Sequence, residues 1–170
     1  GRRGYNVPVT NGSQSGLSSL CYAFHEIRQN RARGMLATGT DENSAVMENL
    51  YSRLGLVSAD GAKLYEGLGM TLSDGSVTVA LESEESAAAN GGKKYARVLG
   101  YGMAHEGVQY GEIKGSAEGL KNAVSKALAM AGITADDVDA VFGLGNAWAI
   151  SVMCPNFILF QFPEGVDPAT

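Results

Sequence analysis

Cysteine is nearly absent from this sequence, with two in 170 residues. Cys21 and Cys154 stand far apart, in no CxxC or Cys/His spacing. That argues against a disulfide framework and against a zinc site, and predicts two buried free thiols. Histidine is as scarce: His25 and His105 each lack a carboxylate or a second histidine at ligand spacing, so both are expected on a surface or a helix face rather than on a metal. Proline is rare at 4 residues against 23 glycines, a balance that suits tight turns and close packing better than disorder. No apolar run approaches the roughly 18 residues a membrane span requires, and no basic-then-apolar leader is visible. The net charge of −5 is spread along the chain, so neither a nucleic-acid footprint nor a basic membrane-binding face is expected. Without a secretory signal the Asn11-Gly12-Ser13 glycosylation triplet reads as accidental. Together these absences point to a reducing cytoplasm.

What remains is ordinary for one globular α/β domain: 45% hydrophobic and 18% charged residues. Leu17, Leu20, Cys21, Phe24 and Ile27 recur at helical spacing and predict a helix over 14–31. A short buried strand over 34–37 and a loop should follow. A second helix is expected over 44–54, carrying Val46, Met47, Leu50, Tyr51 and Leu54. A glycine-rich loop leads to "SVTVALES", whose Val77, Val79 and Leu81 alternate as in a strand. A short helix over 86–90 should stop at Gly91-Gly92, and a strand should cover 95–102. Ser116 is placed to cap a helix with Glu118 in its first turn, Leu120, Val124, Ala127 and Leu128 as its core stripe, and Gly132 as its stop. Thr134 and Asp137 have capping-box spacing, and 140–142 reads as a buried strand. The apolar, β-leaning stretch after residue 146, broken by Pro155, fits no pattern. Strands separated by helices predict a layered α/β fold.

Few motifs carry chemistry. The GxxxxGK[ST] phosphate loop is missing, and "GLGM", "GYGM" and "GLGN" lack the third glycine of a dinucleotide site. "VPVTNGSQSGLSSL" has the order strand, turn, helix start in which enzymes present a nucleophile. A hydrolase elbow needs glycine two residues either side of that nucleophile, whereas Ser13 is flanked there by Asn11 and Ser15. Asp41 and Glu42 follow a strand end, where a solvated loop or helix cap is the commoner role. Glu82, Glu84 and Glu85 read as an exposed acidic face.

An ordered series of segments nevertheless resembles the β-ketoacyl synthases of the thiolase superfamily, over roughly residues 7–146. "VPVTNGSQSGLSSL" matches the family's strand-to-nucleophile turn, and Thr38-Gly39-Thr40-Asp41 its "GG-small-acid" turn. "SDGSV" and "TVALE" match a "GEGAG" turn into a "VLVLE" strand. "GGKKYARVLGYG" matches "GAKIYAEVVGYG", and "DDVDAVFGLGN" matches "DDVDYINAHGT". The resemblance implies a thiolase-like layered αβαβα fold of which this chain covers the middle portion, with 1–146 as the ketosynthase-like part and 147–170 unassigned. The start "GRRGYN", without methionine, fits the expectation that the family's first strands precede residue 1.

Two departures define the functional expectation. Without gaps, the family's nucleophilic cysteine falls on Ser13 and its "HGT" histidine on Leu144. Elongation needs a thiolate to take the acyl group and imidazoles to support decarboxylation of the malonyl extender. The resemblance therefore implies a non-elongating subunit of the chain-length-factor type, in which glutamine often occupies the nucleophile position; a slip of one residue would place Gln14 there. Asn11, Gln14, Leu144 and Asn146 become candidates for lining the acyl site. The implied partners are an active ketosynthase in a heterodimer, or a second copy in a homodimer, and an acyl carrier protein, with no nucleic acid, no membrane and no cofactor or metal. The helix Leu17–Ile27 and the Met47/Leu50/Leu54 face would serve the core and the dimer surface. An acyltransferase or decarboxylase using Ser13, or a fragment of a larger synthase, are the alternatives.

Overall fold

The computed structural model describes residues 4, 6–12, 14–58, 69–105, 107, 117–143 and 156–163. Ser13, Leu144, Asn146, Ser116 and Cys154 lie outside the described residues. Helix α1 (Ser15–Arg28) is followed by β1 (Gly34–Asp41), α2 (Ala45–Arg53), β2 (Gly75–Glu82), α3 (Glu84–Asn90), β3 (Arg97–Met103), α4 (Glu118–Ala131), a 3₁₀ turn (Ala135–Asp137) and β4 (Asn156–Gln161). β1 pairs antiparallel with β2, and β3 with β4. The layers run β1/β2, α1, β3/β4, α4: α1 touches both strand pairs, and α4 covers β3 and β4. No described helix is long and apolar enough to cross a membrane.

The helical period of residues 17–27 produces α1, and burial follows it. Leu20, Cys21 and Ala23 are buried, while Leu17 remains exposed. Leu20 and Ala23 join Ala37 and Leu81 in the core, with Phe24, Ile27, Met35, Val98 and Ile158 packed against them. The helix stops at Arg28 rather than 31 because Asn30 adopts a left-handed φ of 56°. Its N–H donates to the Ile27 carbonyl at 2.9 Å, and that of Arg31 to Glu26 at 2.9 Å. This is a Schellman closure with Asn in glycine's usual place. Arg31 then folds back to chelate the buried Glu26 carboxylate through Nε (3.1 Å) and Nη2 (2.8 Å).

β1 is longer than expected. Thr38, Gly39, Thr40 and Asp41 are not a turn: they continue the strand opposite Thr78, Val77, Ser76 and Gly75. Hydroxyl bridges Thr38–Thr78 and Thr40–Ser76, each 2.9 Å, hold the extension, as threonine pairs do across antiparallel strands. Gly39 serves packing instead of turning, since a Cβ there would stand 3.0 Å from the Gly16 Cα on α1. Only Ala37 and Leu81 of this strand pair are buried, and Val77 and Val79 are exposed because α1 lies over β1.

The second strand pair sits directly on α4. Gly100 and Gly102 of β3 abut the carbonyls of Ala127 and Ala123. The buried stripe of α4 is therefore Gly119, Ala123 and Ala127; of the expected stripe Leu120, Val124, Ala127 and Leu128, Ala127 is buried, Val124 and Leu128 are half-buried and Leu120 is exposed. Backbone-to-backbone approach selects small residues on both sides. The α4 N-cap is Ala117 in a left-handed conformation with no side-chain cap. Gly132 ends the helix as expected, with φ of 71°. Two other local signals hold: Gly91 closes α3 in the left-handed region, and Thr134 and Asp137 form a capping box. Ser44 caps α2, and Ser83 caps α3, which starts two residues earlier than expected. The expected strand over 140–142 is not formed. No described strand pairs with it, and Val141 and Phe142 are exposed. β4, by contrast, arises in the stretch that had no legible pattern.

Candidate functional site

The turn that leads into α1 is held by hydroxyls reaching backwards from the helix. Gly12 takes a left-handed φ of 57°, which reverses the chain at little steric cost. The N–H of Gln14 donates to the Asn11 carbonyl at 3.3 Å, and that of Ser15 to Gly12 at 3.1 Å. Ser15 Oγ accepts from the Asn11 N–H at 2.8 Å and donates to the Gly12 carbonyl at 2.6 Å. One turn further on, the buried Ser18 Oγ accepts from Asn11 Nδ2 at 3.0 Å. Ser19 Oγ donates to the Gly16 carbonyl at 2.7 Å and to that of Thr38 at 3.2 Å, which ties the helix start to β1. Gln14 occupies the N-cap position without making a side-chain cap, and it is buried.

Of the residues singled out in the sequence, Asn11 and Gln14 therefore come together at the head of α1. The other three, Ser13, Leu144 and Asn146, fall outside the described residues. Cys21 is buried two turns along the helix. Burial pushes its thiol up to about 12, offset in part by a backbone hydrogen bond, so it stays protonated at neutral pH. His25 is half-buried, ten residues beyond Ser15 and about 15 Å along an unbroken helix. It meets Tyr101 Oη through Nδ1 at 3.4 Å. His105 is exposed, and its Nδ1 accepts from the Gly107 N–H at 2.8 Å, closing a local turn. No cluster of three or more metal-ligating side chains occurs among the described residues.

A shallow cleft of about 420 Å³ opens at the other end of α1, lined by His25, Arg28, Gln29, Tyr101, Ala129 and Met130. Sequence reasoning missed it because it needs β3 and α4 to come against the helix. Tyr101 packs edge-on against Phe24 with centroids 6.0 Å apart. Its phenol is pushed up by burial first and by Cys21 second, while Arg28 acts the other way. The turn and the cleft are thus separated by the length of α1.

Comparison with known proteins agrees with this geometry. A family model, the β-ketoacyl synthase C-terminal domain, matches residues 95–150. Nodulation protein E of Rhizobium leguminosarum bv. trifolii is 33% identical over 143 residues, covering 82% of this chain and 35% of that protein. The chain thus spans about a third of the length of this relative. Among solved structures, a β-ketoacyl synthase from Burkholderia phymatum superposes with a TM-score of 0.77 at 24% identity, over 85% of this chain and 37% of that one. The ishigamide ketosynthase/chain length factor superposes with a TM-score of 0.72 at 25% identity, over 79% and 34%. The chain is similar to the β-ketoacyl synthases, and its β/α/β/α layers are part of the thiolase-like fold.

Proposed function

We propose, from that likeness, that the chain is part of a non-elongating ketosynthase-like subunit of the chain-length-factor type. It pairs with an active β-ketoacyl synthase in fatty acid or polyketide biosynthesis and helps shape the cavity that holds the growing acyl chain. The observation that carries this reading is that residues 11–15, at the head of α1, hold no cysteine. The family's nucleophile position falls on Ser13, next to the buried Gln14, and the cysteine among the described residues lies two turns away with its thiol near 12. A serine hydroxyl needs an adjacent base to attack an acyl thioester, and His25 lies about 15 Å down the helix. Either register at the turn, Ser13 or Gln14, leaves the position without an acyl-accepting thiolate. Under this reading Asn11, Gln14, Leu144 and Asn146 line the cavity, and acyl carrier protein delivers its contents. The similarity to a ketosynthase/chain length factor structure supports the choice of partner.

The test is reconstitution with an active ketosynthase, malonyl-acyl carrier protein and an acyl-acyl carrier protein primer. Product should form only when both subunits are present, and Ser13→Ala should leave turnover unchanged. Loss of turnover on Ser13→Ala would favour a serine-dependent acyltransferase instead.

A further inference from the structure

We infer that Asn11 and Ser18 are a positioning pair: their hydrogen bond sets the turn at the head of α1 and thereby fixes Gln14 in the acyl-cavity wall, a role that rests on the subunit reading above. Helix N-termini are ordinarily capped by the N-cap side chain, which reaches forward to a backbone N–H two or three residues on. Here the N-cap residue is Gln14, and its carboxamide is not used as a cap. The turn is secured instead from inside the helix. Ser18 Oγ, in a residue only 5% exposed, accepts from Asn11 Nδ2 at 3.0 Å, and Ser15 Oγ takes the Asn11 backbone N–H at 2.8 Å. Asn11 is thus held through both its main chain and its side chain, immediately before the left-handed Gly12. The arrangement holds Asn11 and Gly12 against the start of the helix, which Gln14 enters without a side-chain cap. Serine is a mediocre former of helix interiors, and at residue 18 its buried hydroxyl takes the bond from Asn11.

Two measurements test this, one independent of any partner. First, a thiol is introduced by Gln14→Cys, and its alkylation by iodoacetamide is located by fragmentation mass spectrometry. Adding Ser18→Ala or Asn11→Ala should speed alkylation about fivefold, the factor one ordinary hydrogen bond represents in a local opening. The two together should add nothing further, because they break the same bond. Ser19→Ala removes a different hydroxyl from the same helix turn and should leave the rate unchanged. Equal rates with and without Ser18→Ala, or the same acceleration from Ser19→Ala, would overturn the pair whatever becomes of the subunit reading. Second, with Gln14 in place and an active ketosynthase added, Ser18→Ala and Asn11→Ala should redistribute product length in the same direction as Gln14→Ala. A shift by Gln14→Ala alone overturns the positioning role while sparing the subunit reading. Absence of any product from the wild-type pair counts against that reading only, and the alkylation result then stands by itself.

Discussion

Gly102→Ala is the sharpest perturbation of the packing that builds this fold. An added Cβ would collide with the Ala123 carbonyl oxygen, and would stand 2.7 Å from the Ala123 carbonyl carbon and 3.0 Å from its Cα. These are atoms of helix backbone, so no side-chain rotation relieves the contact, and α4 must lift away from β3. Overpacking a well-filled interior costs typically 1–3 kcal/mol. With rigid backbone on one side the upper end applies, about 3 kcal/mol, a large share of a domain's roughly 5–15 kcal/mol. At this size each kcal/mol moves the thermal midpoint by roughly 2–4 °C, so the midpoint should fall by about 6–12 °C. Gly100→Ala meets Ala127 O at 2.8 Å and Ala131 N at 3.0 Å, and should cost somewhat less. Gly75→Ala has nothing within 4 Å and is the control, expected within about 0.5 kcal/mol of wild type. Urea unfolding followed by circular dichroism reads all three. A Gly102→Ala variant as stable as Gly75→Ala would refute the close approach of α4 to β3.

Four further outcomes follow from the structure. Arg31→Ala leaves the Glu26 carboxylate without its chelating partner, and should cost about 1–2 kcal/mol in urea unfolding, less than for a fully buried pair because Arg31 is itself more than half exposed. Native Cys21 should resist iodoacetamide at pH 8 and react only as urea unfolds the chain; fast native labelling would contradict a thiol near 12. Because burial raises that thiol above its unfolded value of 9.0, its contribution to stability is complete below pH 9 and is lost as pH climbs through 9 towards about 12. Cys21→Ala should flatten that alkaline decline, though Tyr101, shifted in the same sense, contributes to it as well. Asp137 works at the other end: the Thr134 N–H and hydroxyl lower its carboxyl, so the Thr134–Asp137 cap holds above the ordinary value of 3.8 and is lost as pH falls through the lowered one. Protection of the Thr134 amide, its exchange measured against the intrinsic rate at the same pH, should therefore fall only as pH drops below 3.8.

Local signals in the sequence were reliable wherever the cause was itself local. The 3.6-residue period of α1, the glycine stops at 91 and 132, and the Thr134–Asp137 box all depend on residues within a turn or two of each other. The failures share a different cause. Thr38–Asp41 reads as a turn until β2 supplies Thr78 and Ser76 for its threonines. Of the expected α4 stripe Leu120, Val124, Ala127 and Leu128, only Ala127 is fully buried, because Gly100 and Gly102 draw the helix down on its small-residue side. β4 is invisible because its partner β3 lies more than fifty residues earlier, and an apolar run broken by proline has no period of its own. Val141 and Phe142 have strand-like chemistry but find no partner among the described residues. At the candidate site, the position of the turn was legible from the order of segments. The bonds from Ser15 and Ser18 back to Asn11 were not, since serine inside a helix signals nothing in one dimension.

The central claim, that this subunit does not carry the acyl chain, is tested most directly by intact mass. The protein is incubated with acyl- and malonyl-acyl carrier protein, alone and with an active ketosynthase, and each chain is weighed. The account predicts an acyl adduct on the ketosynthase and none on this chain. A stable acyl adduct on this chain alone, abolished by Ser13→Ala, would contradict it.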